Sequence, residues 1–193
     1  MTWILMTMWG CVPELESPQQ DTSTQDSCDW DAPSNSWPMN EPSCLTGEGF
    51  DEGSVVPDMR LLDQNGEEVS MWQFYGMLVV LDFSTMWCAP CAELADGVDE
   101  TTAEFADEGF AYITVLSQDT NSNVPDTADL NEWGEQHSVS QPILSDDGTY
   151  AEDAVPTSVF PRLVLIDRDM RVLIEKITPS EDAAVRAAVE SAL

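Results

Sequence analysis

The sequence predicts an α/β fold built on a mixed central sheet, and two observations point there. Met77–Phe83 and Phe110–Leu116 are nearly continuous apolar runs, as expected of strands buried on both faces. The segments that follow them have helical spacing, and the chain closes with two short apolar runs and an Ala-rich amphipathic stretch. Strands therefore alternate with helices early, and a hairpin followed by a helix comes late.

The elements follow in chain order. Met59–Asp63 and Glu68–Ser70 flank Gln64-Asn65-Gly66-Glu67, in which Asn-Gly is a strong hairpin signal. Met71–Tyr75 reads as a short helical turn closed by Gly76. A helix is predicted from Cys88 through Phe105, with Leu94, Val98, Thr101/Thr102 and Phe105 along one side. Another covers Asp126–Gln136, capped by Asp126 or Thr127. Arg162–Asp167 and Arg171–Ile177 form the last strands, joined by Arg168-Asp169-Met170, and Ser180–Ala192 is a final helix capped by Ser180 or Thr178.

The 193 residues suffice for one domain of ~150 residues and a tail. Six Lys+Arg against 37 Asp+Glu give a formal net charge of −31. Such a polyanion repels phosphate and anionic lipid, so no nucleic-acid partner and no electrostatic membrane binding are expected. His137 is the single histidine, too little for a His-rich metal centre. No apolar stretch approaches the ~20 residues that span a bilayer. No Lys or Arg precedes Arg60, while 11 acidic residues lie between Glu14 and Asp58. Residues 13–58 are rich in Pro, Ser, Asn, Asp and Gly without sustained periodicity. Such a segment reads as a linker that cannot offset its ordering entropy by burial.

The chemistry concentrates in Trp87-Cys88-Ala89-Pro90-Cys91, between a buried strand and a helix. Two cysteines three apart at a helix start lie within disulfide reach. The first faces unpaired N–H groups and the positive end of the helix dipole, and both favour thiolate. Pro90 suits the first turn, where its missing N–H costs nothing. A zinc site would need a second Cys or His pair at ligand spacing, and none follows. No metal and no cofactor beyond the Cys88–Cys91 disulfide are expected.

With these residues, the chain resembles the TlpA-type thiol:disulfide oxidoreductases, or redoxins, of the thioredoxin superfamily. The resemblance rests on Val56-Pro57-Asp58-Met59, on Gly76 through Cys91, and on Phe160-Pro161-Arg162-Leu163-Val164-Leu165-Ile166-Asp167. It covers roughly residues 53–193. It implies a thioredoxin-like fold, with a mixed central sheet, helices on both faces and an N-terminal β-hairpin extension. It further implies Cys88 as attacking thiol, Cys91 as resolving thiol, and Pro161 as a cis-proline that leaves the backbone of Phe160 free for an extended substrate. Pro156-Thr157 is a rival for that proline, but it would leave five extra residues before the strand. Asp82, six residues before Cys88 within an apolar run, matches the family's buried acid; its pKa is expected to be raised.

Three departures stand out. Met77 replaces the family's usual Lys. Ala95 and Asp96 replace a helix-kinking Pro, which predicts a straighter helix. Arg162 replaces a Thr, which puts a cation either beside the cysteines or in a surface salt bridge. The Ala-Pro dipeptide adds no charge, and the nearby Asp82, Glu93 and Asp96 disfavour thiolate through like charge, so a reductase is expected over an oxidant. Its partners would be a substrate protein with a disulfide or oxidised thiol, and a membrane electron donor. Alternative readings are a thiol peroxidase using Thr85 and Arg162, a Cu(I) site at Cys88, Cys91 and His137, and a redox-inert module binding peptide at Phe160–Pro161.

Of the other cysteines, Cys28 and Cys44 bracket a loop that a disulfide would close, worth roughly 3 kcal/mol; two free thiols are the alternative. A disulfide there implies an oxidising compartment. Met1 through Cys11 resembles a remnant bacterial lipoprotein signal with Cys11 as the lipidated residue, an upstream start codon supplying its missing basic region. The expected organisation is therefore a signal remnant at 1–11, an acidic linker at 12–52 and the redox domain at 53–193. The location is extracytoplasmic (a bacterial periplasm), with the domain tethered to the membrane as a lipoprotein.

Overall fold

In the computed structural model, which describes residues 29–193, the two longest apolar runs lie side by side at the centre of a seven-stranded sheet. The strands are β1 (Arg60–Asp63), β2 (Glu68–Ser70), β3 (Leu78–Ser84), β4 (Phe110–Leu116), β5 (Ile143–Ser145), β6 (Arg162–Ile166) and β7 (Val172–Ile174). Their spatial order is β2-β1-β5-β4-β3-β6-β7. The pairs β3/β4 and β4/β5 are parallel and the remaining pairs antiparallel, so the sheet is mixed. Helices α1 (Ala89–Ala95), α2 (Val98–Glu104), α3 (Thr127–His137), α4 (Thr149–Ala154) and α5 (Asp182–Ala192) cover its two faces.

Strand pleating divides the core in two. Leu78 and Val80 of β3, with Tyr112 and Leu165, pack against Leu94, Val98, Leu130, Trp133, Val185 and Val189 from α1, α2, α3 and α5. Val79, Leu81 and Phe83 face the other way, onto Phe50, Val56, Met59, Phe74 and α4 residues Ala151 and Ala154.

The hairpin forms where Asn-Gly predicts it. Asp63 Oδ1 accepts from the N–H groups of Asn65 at 2.8 Å and Glu67 at 2.9 Å, and Gly66 takes a φ of 74° that a side chain would strain. Asp126 caps α3 as expected, accepting from Ala128 N–H at 2.8 Å and Asp129 N–H at 3.1 Å.

Four expectations need correction. Residues 29–52, read as part of a loose linker, lie docked on the domain. Trp30 Nε1 donates to Ser70 Oγ (3.1 Å), Trp37 Nε1 to Asp63 Oδ2 (2.6 Å), and Asn35 Nδ2 to Gln73 Oε1 (2.9 Å), while Phe50 is buried in the core. The segment is irregular, so its anchors fall singly and leave no periodic signature. The helix expected over 88–105 breaks into α1 and α2 at Asp96–Gly97. Proline is not needed for this break, because Gly97 disfavours helix and lies against α5, where an added Cβ would sit 3.0 Å from Asp182 Oδ1. Strand β5 and helix α4, three and six residues long, lie where no element was predicted. Finally, β7 stops at Ile174, and α5 begins at Asp182 with Glu181 at its cap rather than Ser180 or Thr178.

Candidate active site

Strand β3 ends at Ser84, and Thr85-Met86-Trp87 carries the chain to Cys88, the N-cap of α1. Cys88 and Cys91 are joined by a disulfide, their Cα atoms 5.3 Å apart. Cys88 Sγ also accepts from Cys91 N–H at 3.3 Å. The same N–H donates to the Cys88 carbonyl at 3.1 Å, so the sulfur shares a first-turn donor at the start of the helix. Pro90 occupies the first turn without removing a needed donor. Cys88 keeps 6% of its surface exposed and Cys91 none, so of the two only Cys88 offers any surface to solvent.

Asp82 lies on β3 between Val80 and Ser84, on the sheet face covered by α1, and is buried. Burial pushes its carboxyl up to about 7, opposed by a 2.7 Å hydrogen bond from Ser84 Oγ to its Oδ1. Its neighbour in register on β4 is Thr114, with Tyr112 on the same face two residues earlier. Neither hydroxyl has a hydrogen-bond partner among the described residues. Burial, then the charge of Asp82, raise the Tyr112 hydroxyl well above its ordinary range. Buried polar groups therefore share one face of the sheet within an otherwise apolar layer, and among them is an acid that changes protonation near neutral pH.

The Phe160–Pro161 bond is cis, as only Thr178–Pro179 is otherwise among the described residues; the bond before Pro156 is trans. Pro161 leads directly into β6, whose Leu163 pairs with Asp82. Val159 and Phe160 make no backbone–backbone hydrogen bond among the described residues, leaving their peptide groups open. The Phe160 ring meets Trp87 edge-on, centroids 6.3 Å apart, and Trp87 Nε1 donates to Gln118 Oε1 at 2.8 Å.

Arg162 takes neither role expected of it. It is in register with Phe83, which faces away from α1, and its Nε donates to the Glu175 carbonyl at 2.7 Å. It forms no ion pair among the described residues. The reason is the strand register, which turns the residue after Pro161 to the opposite face. Thr85 is buried and its Oγ1 lacks a hydrogen-bond partner among the described residues. His137 sits at the end of α3, its Nδ1 2.8 Å from Asp96 Oδ1 and its ring against Trp133. Glu93 and Asp96 are exposed on α1 and its cap. Cys44 is disulfide-bonded, whereas Cys28 and Cys11 lie outside the described residues.

Gln118 and the cleft beside it were missed in the sequence. The available signal was positional: Ser117 and Gln118 follow the carboxyl end of β4, and open α/β sheets place binding crevices at such ends.

The fold, with a disulfide at this helix N-terminus beside a cis-proline, defines a thioredoxin-like redox protein. A model of the AhpC/TSA family matches residues 53–173, and the chain belongs to that family, as a TlpA-type member of the thioredoxin superfamily. It is 26% identical over 110 residues to a thioredoxin-like protein of Bacillus subtilis, YneN, covering 57% of this chain and 62% of the relative. It is 25% identical over 126 residues to the thiol-disulfide oxidoreductase ResA of the same organism, covering 65% and 67%. Among solved structures, it resembles the thioredoxin domain of a thiol-disulfide oxidoreductase from Bacteroides vulgatus. There the TM-score is 0.61 at 22% identity, over 73% of this chain and 96% of that one. A thiol:disulfide interchange protein of the thioredoxin family from Chlorobium tepidum gives a TM-score of 0.60 at 16% identity, over 74% and 97%.

Proposed function

We propose that this protein is a thiol:disulfide oxidoreductase that reduces disulfides in substrate proteins outside the cytoplasm. The observation that carries the reading is the Cys88–Cys91 pair at the start of α1, Cys88 retaining some exposed surface and Cys91 none, with Asp82 on the sheet face below.

In the reduced protein, the Cys88 thiolate attacks one sulfur of a substrate disulfide, forming a mixed disulfide and releasing the other substrate sulfur, which takes up a proton. Cys91 passes its proton toward Asp82 and attacks Cys88 Sγ, which expels the second substrate thiolate. Two electrons leave the protein, two substrate thiols form, and Cys88 and Cys91 end as the disulfide. An external dithiol must then restore the pair, and a membrane electron donor fits that requirement. An extended substrate backbone can pair with the open peptide groups of Val159 and Phe160 beside Pro161.

Reduction is favoured over oxidation because neither the intervening dipeptide nor Arg162 brings a cation to the thiolate. Ala89-Pro90 is uncharged, and Arg162 is turned to the other sheet face. The same placement of Arg162 weighs against a peroxidase, which needs a cation at the reacting thiolate. The disulfide at Cys44 supports an oxidising compartment, with Cys28 as its proposed partner and Cys11 as a proposed lipid anchor.

The test is the potential of the Cys88/Cys91 couple in the full chain, equilibrated in glutathione and dithiothreitol buffers. A value near or below about −270 mV is expected. A value near −120 mV would make the protein a disulfide donor instead. A pair that does not exchange at all would leave a redox-inert binding module.

A further inference from the structure

Next to the disulfide, across the Trp87–Phe160 pair, opens a cleft of about 630 Å³ between the loop after β4 and helix α4. Its apolar wall is Trp87, Val124 and Phe160, and Trp87 and Val124 are each about half exposed (50% and 53%). Its charged residues are Asp147 and Glu152, and no Lys or Arg lines it. Hydrogen bonds from the Thr149 side chain and N–H hold the Asp147 carboxyl below its ordinary range, so it stays anionic. The chain's few cations lie outside the cleft. Arg60, Arg171 and Arg186 are committed to carboxylates, Arg162 and Arg168 to carbonyl oxygens, and Lys176 is exposed in the segment after β7 and does not line the cleft.

An exposed indole and valine beside two uncompensated carboxylates suit an amphipathic cation, a Lys or Arg side chain whose stem lies on the apolar wall. The cleft is continuous with the open backbone of Phe160, so a chain crossing the disulfide runs into it. From this charge complementarity we infer that the cleft selects substrates carrying a basic segment close to the disulfide to be reduced. The inference rests on the reductase reading and names its substrate class. It assigns Asp147 and Glu152 to specificity.

The experiment uses the full chain, reduced beforehand, and two synthetic disulfide peptides that differ only in flanking residues, Lys/Arg in one and Glu in the other. An uncharged small disulfide is the third substrate. At about 10 mM salt the basic peptide should exchange at least about fivefold faster than the acidic one. The ratio should approach one at about 1 M salt, where screening acts over ~3 Å. Glu152→Lys should reduce or invert the ratio. Glu190→Lys, which changes the net charge equally on α5 outside the cleft, should leave it as in the parent. Equal rates for both peptides at low salt, with the uncharged disulfide still exchanging, would overturn this inference alone. So would a ratio that Glu190→Lys lowers as much as Glu152→Lys does. Failure of all three substrates to exchange would overturn the reductase reading, and this one with it.

Discussion

Phe50 stands edge-on to Phe83, with ring centroids 5.4 Å apart and planes at 88°. The contact joins a segment without regular structure to the strand that delivers Cys88, because Phe83 lies on β3 five residues before the cysteine. The residues ahead of the hairpin thus close the sheet face opposite α1 and belong to the domain's core.

Replacing Phe50 with Ala should therefore cost about 3–5 kcal/mol of stability, as a buried aromatic truncation does. Urea unfolding of the variant against the parent measures this. A loss below about 1 kcal/mol would show that the segment does not stabilise the domain.

Asp82 should make stability fall with rising pH. Its carboxyl titrates near 7 in the fold against an ordinary 3.8. Below the ordinary value both states are protonated and the group contributes nothing. Between the two values the unfolded chain gives up a proton that the fold retains, which favours unfolding. The penalty is complete above about 7 and is on the order of 4 kcal/mol. Asp82→Asn should thus raise the thermal midpoint clearly at pH 8 and little at pH 4. The same variant should slow release of the mixed disulfide and remove an inflection near pH 7 from its rate. An unchanged pH–rate profile would remove Asp82 from the proton transfer.

Cys91→Ser should accumulate a mixed disulfide between Cys88 and substrate, visible by mass spectrometry, whereas Cys88→Ser should not. The asymmetry follows from exposure, since Cys91 is fully buried. Trapping by the Cys88 variant instead would reverse the two roles.

Gly97→Ala should destabilise by about 1–3 kcal/mol while leaving the Cys88/Cys91 potential in place. The added methyl would press on Asp182, which accepts from Thr101 Oγ1 at 2.6 Å and from Arg186 Nε at 2.8 Å. Equal stability would mean that α5 shifts freely, and a changed potential would tie this junction to the redox site.

Much of the site is legible because it is local. A buried strand running into a helix start places Cys88, Cys91 and Pro90 relative to one another within a few residues, whatever the rest of the chain does. The burial of Asp82 follows from its apolar neighbours on β3. Arg162 shows the limit: the residue after Pro161 is easy to find, but its direction depends on pairing with Phe83 across the sheet. The α1–α2 break is similar. Gly97 is visible in the sequence, but the approach of Asp182, 85 positions later, is not.

The sequence alone determined the strand–Cys-x-x-Cys–helix unit, the hairpin, the cap of α3 and the strongly anionic character of the chain. These depend on near neighbours and on residue type. Tertiary structure decided that residues 29–52 close a sheet face, that Arg162 lies away from the cysteines, and that Asp147 and Glu152 share a cleft with Trp87. Each of these joins residues distant in the chain through irregular segments or strand register. Periodicity reports only a regular element with one apolar face, so contacts of that kind leave no trace in it.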